Sequence, residues 1–519
     1  MIDSNPLEVH VARPAVSAVA RQRKQRPYLF YDTTTAICTT CLRTVEAKIL
    51  FKDEQVVMDK WCPVHGSERV LIADDIEYYK LCREVYVKAP EMPLNFSTRM
   101  EYGCPYDCGL CPDHMQHSCL TVMEITDQCN LNCPVCYAES GTHRTTHKSL
   151  AQVIAMLDAV VKNEGEPDVL QLSGGEPTLH PDFFTILDEA KKRPIRHLMI
   201  NTNGIRIAQE PEFVQRLAQY APGIEIYLQF DSFKVAALKE LRGADLTRIR
   251  AQALQRLNEA NISTTLVMTL KKGVNDDEIG ELIAFAASQP CVRGVTLQPI
   301  QDAGRVEDYD AAKNRLTVSE IRRKIGEQSD IFCKEDVLPV PCNPDTLAMA
   351  YGLKLNGQLQ ALTRYVDAET LLAGEKSTIV FERDPALKEQ IFKLFSTNHS
   401  PQSQANCLSE LLCCLPQISS PIALGYENVF RVLIVQFMDA QSLDIRALKK
   451  SCVHMVQPDG KMIPFESFNI FYRDDKQALL QTIRAELAQG HSARRQHGAV
   501  PSISNTQPLH FVRAPQEVD

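Results

Sequence analysis

No run in this chain approaches the roughly 18–20 apolar residues of a membrane span, so a membrane substrate has to be met from the surface. Basic residues are not in excess: the net charge is −9, without the basic face that nucleic-acid binding usually needs. Met1–Lys24 is polar and lacks the apolar core of an export signal. No repeat at solenoid periods is present. Against these absences stands cysteine, with 18 residues. That is too sparse for a small secreted disulfide scaffold. In a reducing cytoplasm, the expected location, clustered cysteines mean metal or catalysis. A length of 519 residues is too great for one core, which predicts two or three domains.

The pattern divides the chain into a disordered N-terminus (1–25), a small metal-pinned module (26–100) and a Cys-, Pro- and Gly-dense ligating loop (101–117). From Ser118 to residue 315, strand-like runs alternate with helical patterns, beginning Cys119–Ile125, Leu150–Lys162, Val169–Leu172 and Phe183–Lys191. Six such strands with helices between them predict an α/β fold, a partial (β/α)6 barrel whose ligands gather at the carboxyl ends of the strands. A mixed α+β region (316–489) and a disordered tail (490–519) follow.

The most informative motif is Cys129-x3-Cys133-x2-Cys136, which follows the strand-like Thr121–Ile125. Three thiolates on one loop, with no fourth cysteine beside them, leave one iron of a four-iron cube without a protein ligand and open to a small molecule. A structural zinc site is the plainer alternative, but zinc prefers paired Cys-x2-Cys knuckles. The same spacing recurs at Cys104, Cys108 and Cys111, with no strand leading into it. It is expected to hold an auxiliary iron–sulfur cluster, with Cys119 or Cys342 as fourth ligand; zinc is the alternative for the trio and simple packing for Cys119. A third set, Cys38-x2-Cys41 and Cys62-x2-His65, has nearly zinc-ribbon spacing and suits one zinc or iron ion. Cys291 and Cys333 read as packed thiols, as do Cys407, Cys413 and Cys414. Cys452 with His454 reads equally as a metal pair or as one strand face.

Cys129, Cys133 and Cys136, with Gly174-Gly175-Glu176-Pro177 one βα unit later, resemble the radical S-adenosylmethionine (SAM) superfamily over residues 118–305. The resemblance implies a [4Fe–4S] cluster whose open iron is chelated by SAM, which is cleaved reductively to a 5′-deoxyadenosyl radical that takes hydrogen from unactivated carbon. It further implies that Gly174 and Gly175 let the backbone approach the ligand and that Glu176 accepts from the SAM ammonium. Asn201 and Asn203 then reach methionine or ribose, Gln229 and Asp231 are ribose candidates, and Gln298 and Pro299 lie by the adenine. Each of these is otherwise a strand-end turn residue. Gly103–His114, Val340-Pro341-Cys342 and Cys452 to Arg473 are together similar to the family that includes tetraether lipid synthases and dihydropterin methyltransferases. This chain departs from it at Cys342-Asn343-Pro344-Asp345, where family members are richer in Cys and His.

Three functions follow as expectations. One is carbon–carbon coupling of lipid tails, which would place the protein at the membrane periphery and needs a long apolar channel. The second is C-methylation of a small heterocycle such as a dihydropterin, which needs a compact polar pocket. The third, non-catalytic electron transfer, sits badly with an open iron; a radical enzyme acting on peptides is a related alternative. A small-molecule or lipid substrate and a reductant such as flavodoxin or ferredoxin are the expected partners.

Overall fold

The computed structural model describes residues 25–355, 358–364, 368, 428–473 and 476–497. The expectations for residues 1–24, for Cys407, Cys413 and Cys414, and for residues 498–519 lie outside the described residues.

The first body is an antiparallel meander of β1 (Leu29–Ile37), β2 (Thr44–Lys52), β3 (Gln55–Cys62) and β4 (Gly66–Ala73), in that order. Alternation along β2 sends Val45, Ala47 and Ile49 inward. Cys38 and Cys41 occupy the β1–β2 turn, Cys62 ends β3 and His65 lies in the β3–β4 turn, so one end of the meander gathers both pairs. Lys60, only 3% exposed, donates to the Ile37 backbone oxygen within this body and fastens it to the rest by donating to the backbone oxygens of Ala440 and, at 2.8 Å, Gln441. Thr34 donates to Asp444 across the same junction.

The second body is one 12-stranded sheet. Its first strand in the chain is β5 (Leu120–Thr126), followed, after the short β6 (Val135–Cys136), by β7 (Val169–Gly174), β8 (His197–Thr202), β9 (Ile224–Gln229), β10 (Thr264–Leu270) and β11 (Val292–Pro299). β12 (Arg305–Val306) pairs β6 separately. The later strands are β13 (Leu338–Pro339), β14 (Leu347–Leu355), β15 (Gln358–Ala361), β16 (Val429–Val435), β17 (Val453–Val456) and β18 (Met462–Pro464). The sheet order is β13-β14-β16-β11-β10-β9-β8-β7-β5-β17-β18, with β15 on β14.

β5 and β7–β11 are the six strands expected between residues 118 and 315. The mixed 316–489 region extends their sheet at both edges, β16 lying parallel to β11 and β17 to β5, so the parallel stretch counts eight strands. β17 is too short to have shown a strand period. The helix Gln477–His497 also runs past the expected domain end.

The sheet is rolled into a partial barrel with an apolar skin. Met123, Leu170, Leu198, Ile226, Leu266 and their neighbours pack outward against helices such as Leu150–Glu164 and Phe183–Lys191. Ser149 starts the first of these helices with a capping box completed by Gln152. Leu157 on its inner face is fully buried, so Leu157→Ala removes roughly 2–5 kcal/mol. Among the described residues no helix is long and apolar enough to cross a membrane.

Candidate functional site

The carboxyl ends of the parallel strands and the barrel interior share one cavity of about 230 Å³. Cys129, Cys133 and Cys136, on the loop after β5, all line it; Cys104, Cys108 and Cys111 do not. The loop is clamped from two sides. Arg305, beyond β11, donates to the Cys133 backbone oxygen at 2.7 Å and the Ser140 oxygen at 2.8 Å. On the other side Gly175 N donates to Thr126 O and Glu176 N to Gln128 O, both at 2.8 Å. A Cβ on Gly174, at φ +123°, or on Gly175 would stand 2.2 Å from the oxygen of Thr126 or Gln128. The glycines are thus required by the approach of β7 to the cysteine loop, a contact within the chain that the sequence expectation of a close ligand approach did not include.

Glu176 is 1% exposed and turns its carboxylate inward. Oε1 accepts from Thr178 and, at 2.8 Å, Thr202; Oε2 accepts from Asn203 N at 2.8 Å. Oε2 keeps an acceptor direction free of these bonds, but the side chain's first task is to tie the ends of β7 and β8 together. Asn201, Asn203 and Gln229 line the cavity. Gln229 donates to Asn201 at 2.8 Å, Asn201 to Ser173 at 3.1 Å, and Ser173 pairs with Tyr137 of the cysteine loop at 3.0 Å. Asn203 reaches Asn130 at 2.7 Å. Gln298 and Pro299 also line the cavity, Gln298 donating to Tyr227 at 2.9 Å.

Asp231 behaves differently from the expectation. It is fully buried, sits at φ +63°, and does not line the cavity. Arg242 grips it through two bonds at 2.6 and 2.8 Å, and Arg250 through one at 2.5 Å. Burial alone would raise this carboxyl, but Arg242 and then Arg250 outweigh burial and hold it low. Both carboxylate oxygens are thus engaged by arginines, outside the cavity lining. Arg242 itself is a cavity-lining cation beside Cys133 and Cys136. Sequence reasoning missed Arg242 and Arg250: they sit on helices Val235–Arg242 and Thr247–Glu259, where a charge reads as a solvated face.

Several observations bear on the fit of an iron–sulfur cluster and SAM here. Burial pushes the Cys129 thiol up to about 12, so a thiolate there needs positive charge alongside. The trio does not meet the mutual 4.8 Å separation of the sets suited to one ion, and a cube spreads its thiolates wider than an ion does. On the cavity wall, Arg250 Nη1 and Gln301 Oε1 are buried without a hydrogen-bond partner among the described residues. One unused cationic donor and one unused acceptor beside three thiols suit a ligand with a carboxylate and hydrogen-bond donors, and SAM has both.

The cavity's other end lies at the amino ends of the strands. His197 opens β8, Glu225 is second in β9, and Arg431 is third in β16. Glu225 is fully buried; it pairs with His197 at 2.9 Å and Arg431 at 3.1 Å and accepts from Thr265. Burial would raise its carboxyl, but Arg431 and His197 hold it well below the usual carboxylate range. From His197 to Asn201 along β8 is about 13 Å. Val122, Met199 and Leu433 line the wall, so the cavity is polar at both ends and more apolar between. Sequence reasoning missed this floor as well.

Cys108 and Cys111 of the second trio are buried and Cys104 partly so. Asp107 folds their loop by accepting from Glu101 N and Gly103 N at 2.6 and 2.8 Å, while Arg484 and Tyr472 both donate to Tyr106 O. Cys119 and Cys342, offered by the sequence as alternative fourth ligands to this loop, gather instead with Cys452 in a three-thiol group. Cys291 is packed, but Cys333 is exposed and caps a short turn through Asp336. In the N-terminal body, the ligand atoms of Cys38, Cys41, Cys62 and His65 all lie within 4.8 Å of one another. Backbone N–H groups of Val64 and His65 draw the Cys62 thiol down to about 6.

Comparisons with known proteins agree with these divisions. Residues 30–74 match the HMPTM N-terminal zinc ribbon domain, and residues 123–286 match the radical SAM superfamily. The second match contains the Cys129 loop and leaves out the Cys104 loop. The chain is 28% identical over 482 residues to the 7,8-dihydro-6-hydroxymethylpterin dimethyltransferase of Methanocaldococcus jannaschii, covering 85% of this chain and 94% of that protein. It is 27% identical over 237 residues to the GTP 3′,8-cyclase of Alkaliphilus metalliredigens, covering 44% of this chain and 68% of that one. Among solved structures, Streptococcus suis SuiB bound to S-adenosylmethionine matches at 19% identity and TM-score 0.32, over 37% of this chain and 44% of that one. The chain is thus an enzyme that carries a radical SAM domain over residues 123–286, with a [4Fe–4S] cluster and SAM as its cofactors, behind a zinc ribbon domain over residues 30–74.

Proposed function

We propose that this enzyme uses its radical to functionalise a small, hydrogen-bonding heterocycle of the reduced-pterin class, with C-methylation as the reaction and SAM, broken at its sulfur–methyl bond, as the methyl source besides being the radical source. When bound, the cluster supplies the electron that cleaves SAM to the 5′-deoxyadenosyl radical. In this reading Cys129, Cys133 and Cys136 hold that cluster, with Arg242 as the cation beside them. Arg250 Nη1 receives the SAM carboxylate, and Asn201, Asn203, Gln229 and Gln298 place its ribose and adenine. Glu176 keeps the loop against β7 and offers Oε2 to the ammonium. Cys104, Cys108 and Cys111 hold an auxiliary cluster.

The observation that carries the substrate class is the polar floor of Glu225, His197 and Arg431. A hydrocarbon tail reaching it would cover a buried charge cluster and return no hydrogen bonds. A flat heterocycle can stack against the apolar middle and present nitrogens and oxygens to the floor. The long relative, named as a dihydropterin dimethyltransferase, supports the same choice over lipid coupling. The test is anaerobic turnover of reconstituted protein with SAM and a reductant. Formation of 5′-deoxyadenosine should rise on adding 7,8-dihydro-6-hydroxymethylpterin and not on adding prenyl lipids in micelles. A rise with the lipids alone would overturn the proposal.

A further inference from the structure

Tyr106 stands between Cys104 and Cys108 in the loop of the second trio and is only 2% exposed. Its side chain leaves that loop and meets the N-terminal body at the Cys38–Cys41 turn. The hydroxyl donates to Leu42 O at 3.0 Å and accepts from Thr44 N at 2.8 Å. Leu42 follows the ligand Cys41, and its N–H donates to Cys38 O at 2.9 Å. A phenylalanine would fill the same space, so the hydroxyl is there for the backbone of the metal-binding turn. Packing follows the same line. Cys38, Cys62 and Ile49 belong to the ribbon's own core, whereas Leu42 is buried in one core with Tyr106 and Cys108.

The rest of Tyr106 is held as firmly. Its N–H donates to Gly103 O at 2.9 Å, and its carbonyl oxygen accepts from Tyr472 and from Arg484 Nε, each at 3.0 Å. The ring meets Phe471 edge-on, with centroids 5.7 Å apart. Arg43 of the ribbon turn pairs with Glu486, on the helix that carries Arg484. Lys60 and Thr34 fasten the ribbon to residues 440–444; Tyr106 instead ties it to the backbone between two cysteines.

The ribbon's four ligands come from two turns, so an ion there holds the Cys38–Cys41 turn against Cys62 and His65. Without the ion that turn loses its cross-link, and Leu42 O and Thr44 N lose their fixed places around the hydroxyl. A buried hydroxyl stripped of its partners is costly, so the strain passes to the arc that carries Tyr106.

We propose that Tyr106 is a positioning residue that couples the ribbon's ion to the auxiliary cluster. With the ion bound, the Cys38–Cys41 turn fixes the Tyr106 hydroxyl, and Tyr106 fixes the arc from Cys104 to Cys108 that shapes the cluster's site. The ribbon is thereby a support for the second metal centre, separate from substrate and SAM. The inference rests on reading Cys104, Cys108 and Cys111 as cluster ligands. Its test is electron paramagnetic resonance of full-length, reduced protein with Cys129, Cys133 and Cys136 changed to Ala, which removes the SAM cluster's signal. The auxiliary signal is the one that Cys108→Ala then removes; if it removes none, the cluster reading has failed and the coupling with it. Tyr106→Phe should change the g-values of that signal and speed its loss to an iron chelator by roughly five- to tenfold, the worth of about one net hydrogen bond. Cys62→Ala with His65→Ala, which takes two of the four ligands from the ribbon's ion, should do the same. Adding Tyr106→Phe to that pair should change nothing more. A wild-type signal and loss rate in either variant would overturn the proposal, as would a further change on combining them. If the ribbon variant does not fold, the reverse direction decides, because coupling is reciprocal. Tyr106→Phe should then release the ribbon's ion to a chelator faster by a similar factor, and an unchanged release rate would overturn the proposal.

Discussion

Two loops of this chain have the same cysteine spacing and opposite surroundings. The Cys129 loop follows a parallel strand, lines the cavity, is pinned by Gly174 and Gly175, and has Arg242 beside its thiols. The Cys104 loop has no strand before it and no share of the cavity; Tyr472 and Arg484 close over it. Spacing therefore selects a kind of metal centre, while the neighbourhood decides whether a second molecule can reach it. An electron carrier gains from enclosure and a reaction centre cannot use it.

The comparison can be broken most severely at the cysteines. Cys133→Ala should abolish 5′-deoxyadenosine formation, whereas Cys108→Ala should lower iron content and leave SAM cleavage in place, both read by chromatography of quenched reactions. Next come the glycines. Gly174→Ala forces a Cβ to 2.2 Å from Thr126 O at a positive φ, and should lose the cluster and most activity. Gly103→Ala, at φ +84° with nothing within 4 Å, should lose only about 1–2 kcal/mol in a denaturant melt. Smaller still is the contrast between arginines. Arg242→Met half-strips a buried carboxylate, so it should cost up to about 3–5 kcal/mol, less whatever Arg250 retains, and weaken SAM binding. Arg484→Met removes bonds to one carbonyl oxygen, which should cost roughly 1.5–3 kcal/mol without touching SAM affinity.

The smallest effect concerns the two ends of the cavity. Glu225 titrates below its unfolded-chain value of 4.5, so its stabilisation is complete above that pH and is lost as the pH falls. Melting temperature should therefore decline on acidification below about 4.5. Glu225→Gln should be less stable at neutral pH, with Arg431 left unpaired, and should lack that part of the decline.

Much of the barrel was legible because its core strands and helices repeat with clean periods. Strands at Thr264–Leu270 and helices at Phe183–Lys191 stand where apolar runs and helical spacing put them. The extra parallel strands were not, since β17 is four residues long and finds its place only by pairing with β5 across more than 300 residues of chain. The site divides the same way. Cysteines announce themselves by spacing, and Asn201, Asn203 and Gln229 by standing at strand ends. Asp231 shared that position, yet its carboxylate belongs to Arg242 and Arg250, arginines on helices that carry no local signal of an inward task. Glu225, His197 and Arg431 belong to a layer that exists only once the sheet is rolled.

The most direct measurement is electron paramagnetic resonance of the reduced protein with and without SAM, in two variants. One has Cys104, Cys108 and Cys111 all changed to Ala; the other has Cys129, Cys133 and Cys136 changed to Ala. The account predicts that SAM shifts the cluster signal of the first and leaves the signal of the second unmoved. A shift in the second, with none in the first, would contradict it.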